Sequence, residues 1–220
     1  MTLELHSVSA TEALARALRD RILSGDVAPG TRLPEVELVR SYGVARPTVR
    51  EALHLLVHQG LLQRRPNHSA WVPELTPQAV EDIFFARTPL ELHTVRTLAG
   101  RGEDIPAARA AVERFEALGD SVHWSDAVDA DLAFHVALIE AVGSSRLARL
   151  HAALEGEIRL CIAQLRPAWH TPAALAEEHR QVLDGILAGS PPAAEARMRE
   201  HLDKAVRDLT GRARELELEA

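Results

Sequence analysis

The sequence predicts a mainly α protein in two parts: three short helices closed by a β-hairpin, then an all-α antiparallel helical bundle. Three observations predict it. Apolar residues recur three and four apart along most of the chain, the mark of one buried helical face. Gly and Pro interrupt that pattern and divide it into segments of helical length. The strand signal is confined to one stretch, LLQRRPNHSAWVPEL, where two short extended runs flank Pro66-Asn67-His68-Ser69.

Thr11–Ser24 is the first helix, with Leu14, Ala17, Leu18 and Ile22 on one side and Gly25 as its stop. VAPGTRLP then reads as a turn on Pro29-Gly30. Glu35–Tyr42 makes a short second helix, broken by Gly43. Arg46–Gln59 makes a third, with Val49, Ala52, Leu53 and Leu56 inward and Gly60 as its end. The runs Leu61–Arg65 and Ala70–Pro73 form the hairpin. Together these make a winged helix-turn-helix over residues 1–76, with the boundary near Glu74–Gln78. The bundle occupies residues 77–220, with helical segments Gln78–Gly100, Ile105–Leu118, Asp126–Val142, Ser145–Leu165, Pro172–Ala188 and Ala193–Glu217. Breaks are expected at Gly102, Gly119, Gly143, Pro167 and Gly189-Ser190-Pro191-Pro192. Pro89 lies inside the first segment and is expected to kink or split it.

The 220 residues suit one large or two modest domains, and 46% hydrophobic content suffices for their cores. Cys161 stands alone, so no internal disulfide is expected, and it reads as core packing in a reducing cytoplasm. No leader pattern follows Met1 and no long apolar run occurs, so neither secretion nor membrane spanning is expected. The net charge of −7 argues against a globally basic nucleic-acid binder. Its distribution is uneven. Residues 1–76 hold 9 basic and 8 acidic side chains, or +1, while residues 77–220 hold 16 and 24, or −8. Between Arg40 and Arg65 five arginines meet one acid, Glu51. A DNA-reading module shows such a local basic patch, and so does a merely solvated arginine-rich surface.

In a helix-turn-helix the second helix presents its N-terminal residues to base edges in the major groove. Here that end reads GVARPTVREAL, with Arg46, Thr48 and Arg50 in or just before its first two turns. Arginine can clamp guanine O6 and N7, and threonine can bond phosphate or meet a thymine methyl. The hairpin tip, Asn67 and His68, would reach the adjacent backbone or minor groove. Use of the fold for protein contact is the alternative. The stretch PGTRLPEVELVRSYGVARPTVREALHLLVHQGLLQRRPNHSAWV resembles the N-terminal domain of GntR-type bacterial transcription regulators. By that resemblance Arg46, Thr48 and Arg50 are base and phosphate contacts, and the region around His68 is the wing. Three positions depart from the pattern: Val36 where arginine is common, Ala45 in place of a capping serine, and Ser69 in place of the wing glycine. The Ala45 departure removes an N-cap of about 1 kcal/mol.

In the bundle half, DADLAFHVALIE places Asp131 and His135 four apart on the apolar stripe of Val128, Leu132, Leu138 and Ile139. Taken alone, the pair reads as a hydrogen-bonded Asp–His contact. Two more histidines break apolar stripes: His179 among Leu175, Val182, Leu183 and Ile186, and His201 among Met198, Ala205 and Leu209. One carboxylate and three imidazoles facing inward from three helices is the composition of a metal site, since imidazole supplies neutral nitrogen and Asp offsets charge. The pattern also resembles the ligand-binding bundle of the FadR subgroup, the FCD domain. That resemblance implies a metal on Asp131, His135, His179 and His201, with a small carboxylate effector at its open positions; the donor set itself suits zinc, nickel, manganese or iron(II). It also implies a supporting arginine, which Arg87 matches; a surface arginine is the other reading. His151 reads as a core histidine that could line the cavity, and Glu140 and Glu178 as lying off the inner face.

The expected function is that of a cytoplasmic, ligand-responsive transcription regulator, not an enzyme. It would bind operator DNA as a homodimer, since two-fold proteins read two-fold sites, and hold a metal and a small organic acid in its bundle. The alternatives are a helical metalloenzyme, in which the same ligand set activates water, and a regulator whose bundle is purely structural.

Overall fold

In the computed structural model the described residues are 9–118, 124–165 and 171–219. The chain divides into two units, Met1–Glu74 and Leu75–Ala220. The expected breaks at Gly119 and Pro167 lie outside the described residues.

In the first unit α1 spans Ala10–Leu23. Ser9 and Glu12 close a capping box: the Ser9 hydroxyl accepts from the Glu12 N–H, and the Ser9 N–H donates to the Glu12 carboxylate, each at 3.1 Å. β1 is Arg32–Leu33, α2 Glu35–Tyr42, α3 Arg46–His58 and β2 Ala70–Trp71. Gly43, with φ +63°, supplies the left-handed residue that ends α2. Leu18, Ile22, Val49, Leu53 and Leu56 are fully buried, as the helical spacing requires.

The hairpin differs from expectation. β2 pairs antiparallel with β1, Arg32 opposite Trp71 and Leu33 opposite Ala70, and touches the Leu61–Arg65 run only through a bridge from Gln63 to Trp71. The segment read as a turn therefore supplies a strand. Backbone pairing decides this: Gly30 N–H donates to Val72 C=O, and Val72 N–H to Thr31 C=O. A strand of two residues is too short to show a period of two.

The second unit comprises α4 (Pro77–Arg101), α5 (Pro106–Ala117), α6 (Trp124–Ala141), α7 (Ser145–Ala152), α8 (Glu155–Gln164), α9 (Pro172–Leu187) and α10 (Pro191–Glu219). α10 lies along α4, and α5 packs on α6 and α9. The shared core includes Phe84 and Val95 of α4, Phe134 and Leu138 of α6, Val182 of α9, and Met198 and Leu202 of α10.

Two expectations need correction. Pro89 does not split α4, which continues from Pro77 to Arg101. The proline is exposed, and buried Val80 and Phe84 before it and Leu92, Val95 and Leu98 after it share one core. That burial outweighs one lost hydrogen bond and a ring clash of about 3 kcal/mol. The segment Ser145–Leu165 is two helices rather than one. At the junction Leu154 N–H bonds to His151 C=O, three residues back, so the tightening is conformational and needs no Gly or Pro. Among the described residues no helix is long and apolar enough to cross a membrane.

Candidate metal centre and nucleic-acid face

α6 carries Asp131 and His135, α9 carries His179 and α10 carries His201. All four side chains are buried, and one donor atom from each lies within 4.8 Å of the others. His135 Nε2 is 3.3 Å from His201 Nε2, and His179 Nε2 is 3.2 Å from Asp131 Oδ1. Around an ion with bonds of about 2.0–2.2 Å, neighbouring ligand atoms stand roughly 3.0–3.5 Å apart, so the spacing fits. Phe134 packs edge-on and Phe115 tilted against His179, with ring centroids 4.8 and 4.9 Å away, and they fix its ring.

Hydrogen bonds behind two of the rings set their tautomers. His179 Nδ1–H donates to Leu175 C=O at 2.7 Å, which leaves its Nε2 lone pair facing Asp131. His135 Nδ1 lies 2.5 Å from Glu91 Oε2; a carboxylate accepts, so the proton sits there and Nε2 again carries the lone pair. His201 Nδ1 stands 3.5 Å from Glu178 Oε2. An imidazole held from behind by a carboxylate or carbonyl is the arrangement of metal-bound histidines. Asp131 Oδ2 and His179 Nε2 are buried with no hydrogen-bond partner. Such orphans carry their full desolvation cost unless something fills the space between them.

Electrostatics favour the ligating protonation states. Burial lowers the His135 imidazole to about 3 against the pull of Glu91, and burial likewise lowers His201. Burial would raise Asp131, but His179, His135 and Arg87 outweigh it and hold the carboxyl well below its usual range. At neutral pH Asp131 is thus a carboxylate and His135 and His201 are neutral, the form a divalent cation takes up.

Glu91 was not singled out in the sequence, yet it organises the back of the site. It is buried, accepts from Arg87 Nε at 2.5 Å through Oε1, and lies 3.6 Å from His151 Nε2. Burial opposes its ionisation, but Arg87 and His135 keep it well below the usual carboxylate range. The signal was present: Arg87 and Glu91 stand i,i+4 among Phe84, Val95 and Leu98 on a buried stripe. Arg87 is 2% exposed, which excludes the surface reading, and its Nη2 has no partner. A cavity is lined by Arg87, Asp131 and His201 with Phe84, Ile162 and Leu209. Glu178 lines it too and is three-quarters buried, so it does not lie off the inner face as expected. His151 is buried behind Glu91 and does not line the cavity. Cys161 is core, its thiol pushed by burial up to about 12.

In the first unit Arg46 and Arg50 meet at a residue the sequence reading passed over, Glu35 at the start of α2. The Glu35 carboxylate accepts from Arg46 Nε, Arg50 Nε and Nη2, and Arg64 Nη2, at 3.0–3.3 Å. Arg50 foremost, with Arg46 and Arg64, lowers the Glu35 carboxyl to about 2 against its partial burial. Thr48 is half-buried and outside this cluster. Asn67 and His68 are exposed, with Asn67 in the left-handed region at φ +61°. Ala45 caps α3 with no side-chain bond, and Val36 is 50% exposed, consistent with the two departures noted at those positions.

Both units match known protein families. Residues 10–72 match the family described as bacterial regulatory proteins, gntR family, and residues 82–204 match the FCD domain. An HTH-type transcriptional regulator in an unstable DNA locus of Streptomyces ambofaciens is 30% identical over 195 residues, covering 87% of this chain and 81% of that one. The HTH-type transcriptional repressor RspR of Escherichia coli is 25% identical over 207 residues, covering 88% and 86%. A crystal structure of a putative GntR transcriptional regulator from Rhodococcus sp. RHA1 superimposes with a TM-score of 0.78 at 26% identity, covering 93% of this chain and 99% of that one.

Proposed function

Because the chain belongs to the gntR family and carries an FCD domain, it is a transcriptional regulator and not an enzyme, and we propose that a divalent metal and a small carboxylate govern its grip on operator DNA. The metalloenzyme reading falls with the family. The observation that carries the proposal is the convergence of Asp131 Oδ2 and His179 Nε2, buried and unpartnered, with His135 and His201 within ligand spacing. A divalent ion would sit on these four side chains and supply Lewis acidity for an oxygen ligand. Zinc, nickel, manganese and iron(II) all suit the donor set. Arg87, with Nη2 unpartnered in the cavity wall, is the second anchor for the effector's carboxylate.

The first unit reads DNA as one half of a homodimer on a pseudo-palindrome. Arg46, Thr48 and Arg50 face the major groove, and Asn67 and His68 meet the neighbouring backbone or minor groove. An acid that prefers one arrangement of the paired heads shifts operator affinity by its differential binding, and operator shifts acid affinity by the same factor.

The experiment is metal analysis of chelator-free protein, followed by titration of wild type and His179→Ala with zinc, nickel and manganese. One ion per wild-type chain and none in the variant is expected. A wild type that stays metal-free throughout would leave the bundle a structural element only.

A further inference from the structure

We infer that Glu35 is a positioning residue for DNA reading: it holds Arg46 and Arg50 in two set postures before DNA arrives. The inference rests on the reading of Arg46 and Arg50 as DNA contacts. Both arginines lie at the start of α3, four residues apart, with side chains 64% and 52% exposed. Long exposed arginines of like charge would ordinarily spread through many rotamers, and each ordering on DNA would lose that freedom. Here one carboxylate, itself only 11% exposed, removes much of it in advance.

The hydrogen-bond pattern gives the two arginines different postures. Glu35 Oε2 accepts from Arg46 Nε and Arg50 Nη2; Oε1 accepts from Arg50 Nε and Arg64 Nη2. Four N–H groups thus fill about four lone-pair sites, the capacity of a carboxylate. Arg46 spends only Nε, so its Nη1 and Nη2 stay outside the cluster as an end-on fork. That fork matches the O6 and N7 acceptors of guanine. Arg50 spends its whole Nε–Nη2 side edge on Glu35, which fixes the plane of its guanidinium and leaves its Nη1/Nη2 end pointing outward. Glu35 thus holds Arg46 by one bond and Arg50 by two, each with its outer end left to meet DNA. Arg64, from the run before the wing turn, ties a third segment to the same carboxylate.

Charge gives the second consequence. Glu35 offsets one of three clustered positive charges. Its loss would strengthen contact with any DNA while loosening the postures that tell one sequence from another. A residue that merely stabilised α2 would not separate those effects.

The test uses the full chain, a duplex recovered by wild type from a randomised library, and a scrambled duplex of equal length. Affinities are measured from 50 to 300 mM salt for wild type, Glu35→Gln and Glu35→Asp, with thermal midpoints recorded for each. Glu35→Gln should bind the scrambled duplex severalfold more tightly, with a salt slope steeper by up to about one. Its preference for the selected duplex should fall about tenfold, as the loss of one oriented bidentate contact implies. Glu35→Asp keeps the charge but not the reach, so scrambled binding should stay as in wild type while the preference falls. A folded Glu35→Gln that keeps the wild-type preference and salt slope overturns the inference. Equal binding of both duplexes by wild type itself overturns the underlying DNA reading, a separate outcome.

Discussion

Replacing Glu91 with glutamine tests the back of the metal site, because the structure predicts two losses that can be read apart. Glu91 bonds His135 Nδ1 at 2.5 Å and Arg87 Nε at 2.5 Å, and all three side chains are buried. The partner behind a metal-bound imidazole is worth about 10–100-fold in metal affinity, or roughly 1.4–2.7 kcal/mol. Glutamine keeps an acceptor for His135 but removes the negative charge that compensates Arg87. An uncompensated buried charge costs about 3–5 kcal/mol. The metal-free variant should therefore lose stability on that scale, and the metal-loaded comparison should show the affinity loss on top. The assays are denaturant unfolding of chelator-treated protein and competitive zinc titration against a chromophoric chelator. The double variant Arg87→Met, Glu91→Gln removes the stranded cation and should recover most of the stability but none of the metal affinity. Wild-type zinc affinity in Glu91→Gln would refute its orienting role. A double variant destabilised by the sum of the two single losses would show that Arg87 and Glu91 are not coupled.

Arg46→Ala should weaken binding to a selected operator by about ten- to a hundredfold at fixed salt and leave the thermal midpoint unchanged; equal affinity removes Arg46 from the interface. His179→Ala should abolish any response of operator binding to a panel of small carboxylates while basal binding persists, and an undiminished response would move the sensor elsewhere. Metal-free wild type should lose stability as pH falls. His135 is held at about 3 in the fold by burial, below its ordinary value near 6.5, so its neutral form contributes fully above that value and the contribution declines toward pH 3. The slope is about 1.4 kcal/mol per pH unit for one such group, readable as urea midpoints between pH 7.5 and 5; a flat profile refutes it. Ser9→Ala should cost about 1 kcal/mol of stability through the lost capping box, measured as a shift in urea midpoint.

Most of the helices were legible because each buries one face, and burial writes a period of 3.6 into the chain. Asp131, His135, His179 and His201 were legible for the same reason, as polar residues interrupting apolar stripes. What escaped has local causes. β1 is two residues long, too short to carry a period. The break between α7 and α8 rests on a carbonyl choosing a partner three residues away instead of four, which no side chain announces. Glu178 looked solvent-facing because its neighbours in sequence are charged, yet His201 and Lys204 draw it inward. Glu35 sits in the first turn of α2, where an acid is ordinary at a helix N-terminus, so its role as a shared acceptor shows only in three dimensions.

The two units use the same device at different depths, and depth decides what each substitution reports. In both, one carboxylate holds cationic or imidazole groups in a working posture: Glu35 for Arg46, Arg50 and Arg64, and Glu91 for Arg87 and His135. Around Glu35 two of the three arginines, Arg46 and Arg50, are largely exposed, water screens their pairing, and exposed ion pairs contribute little to stability. Its removal should therefore register in sequence preference and salt dependence, with little change in unfolding. Around Glu91 burial removes that screening, so its removal strands Arg87 and disturbs folding before it disturbs function. The same chemical change, a carboxylate to an amide, then separates a positioning role at the surface from one in the core by which measurement moves first.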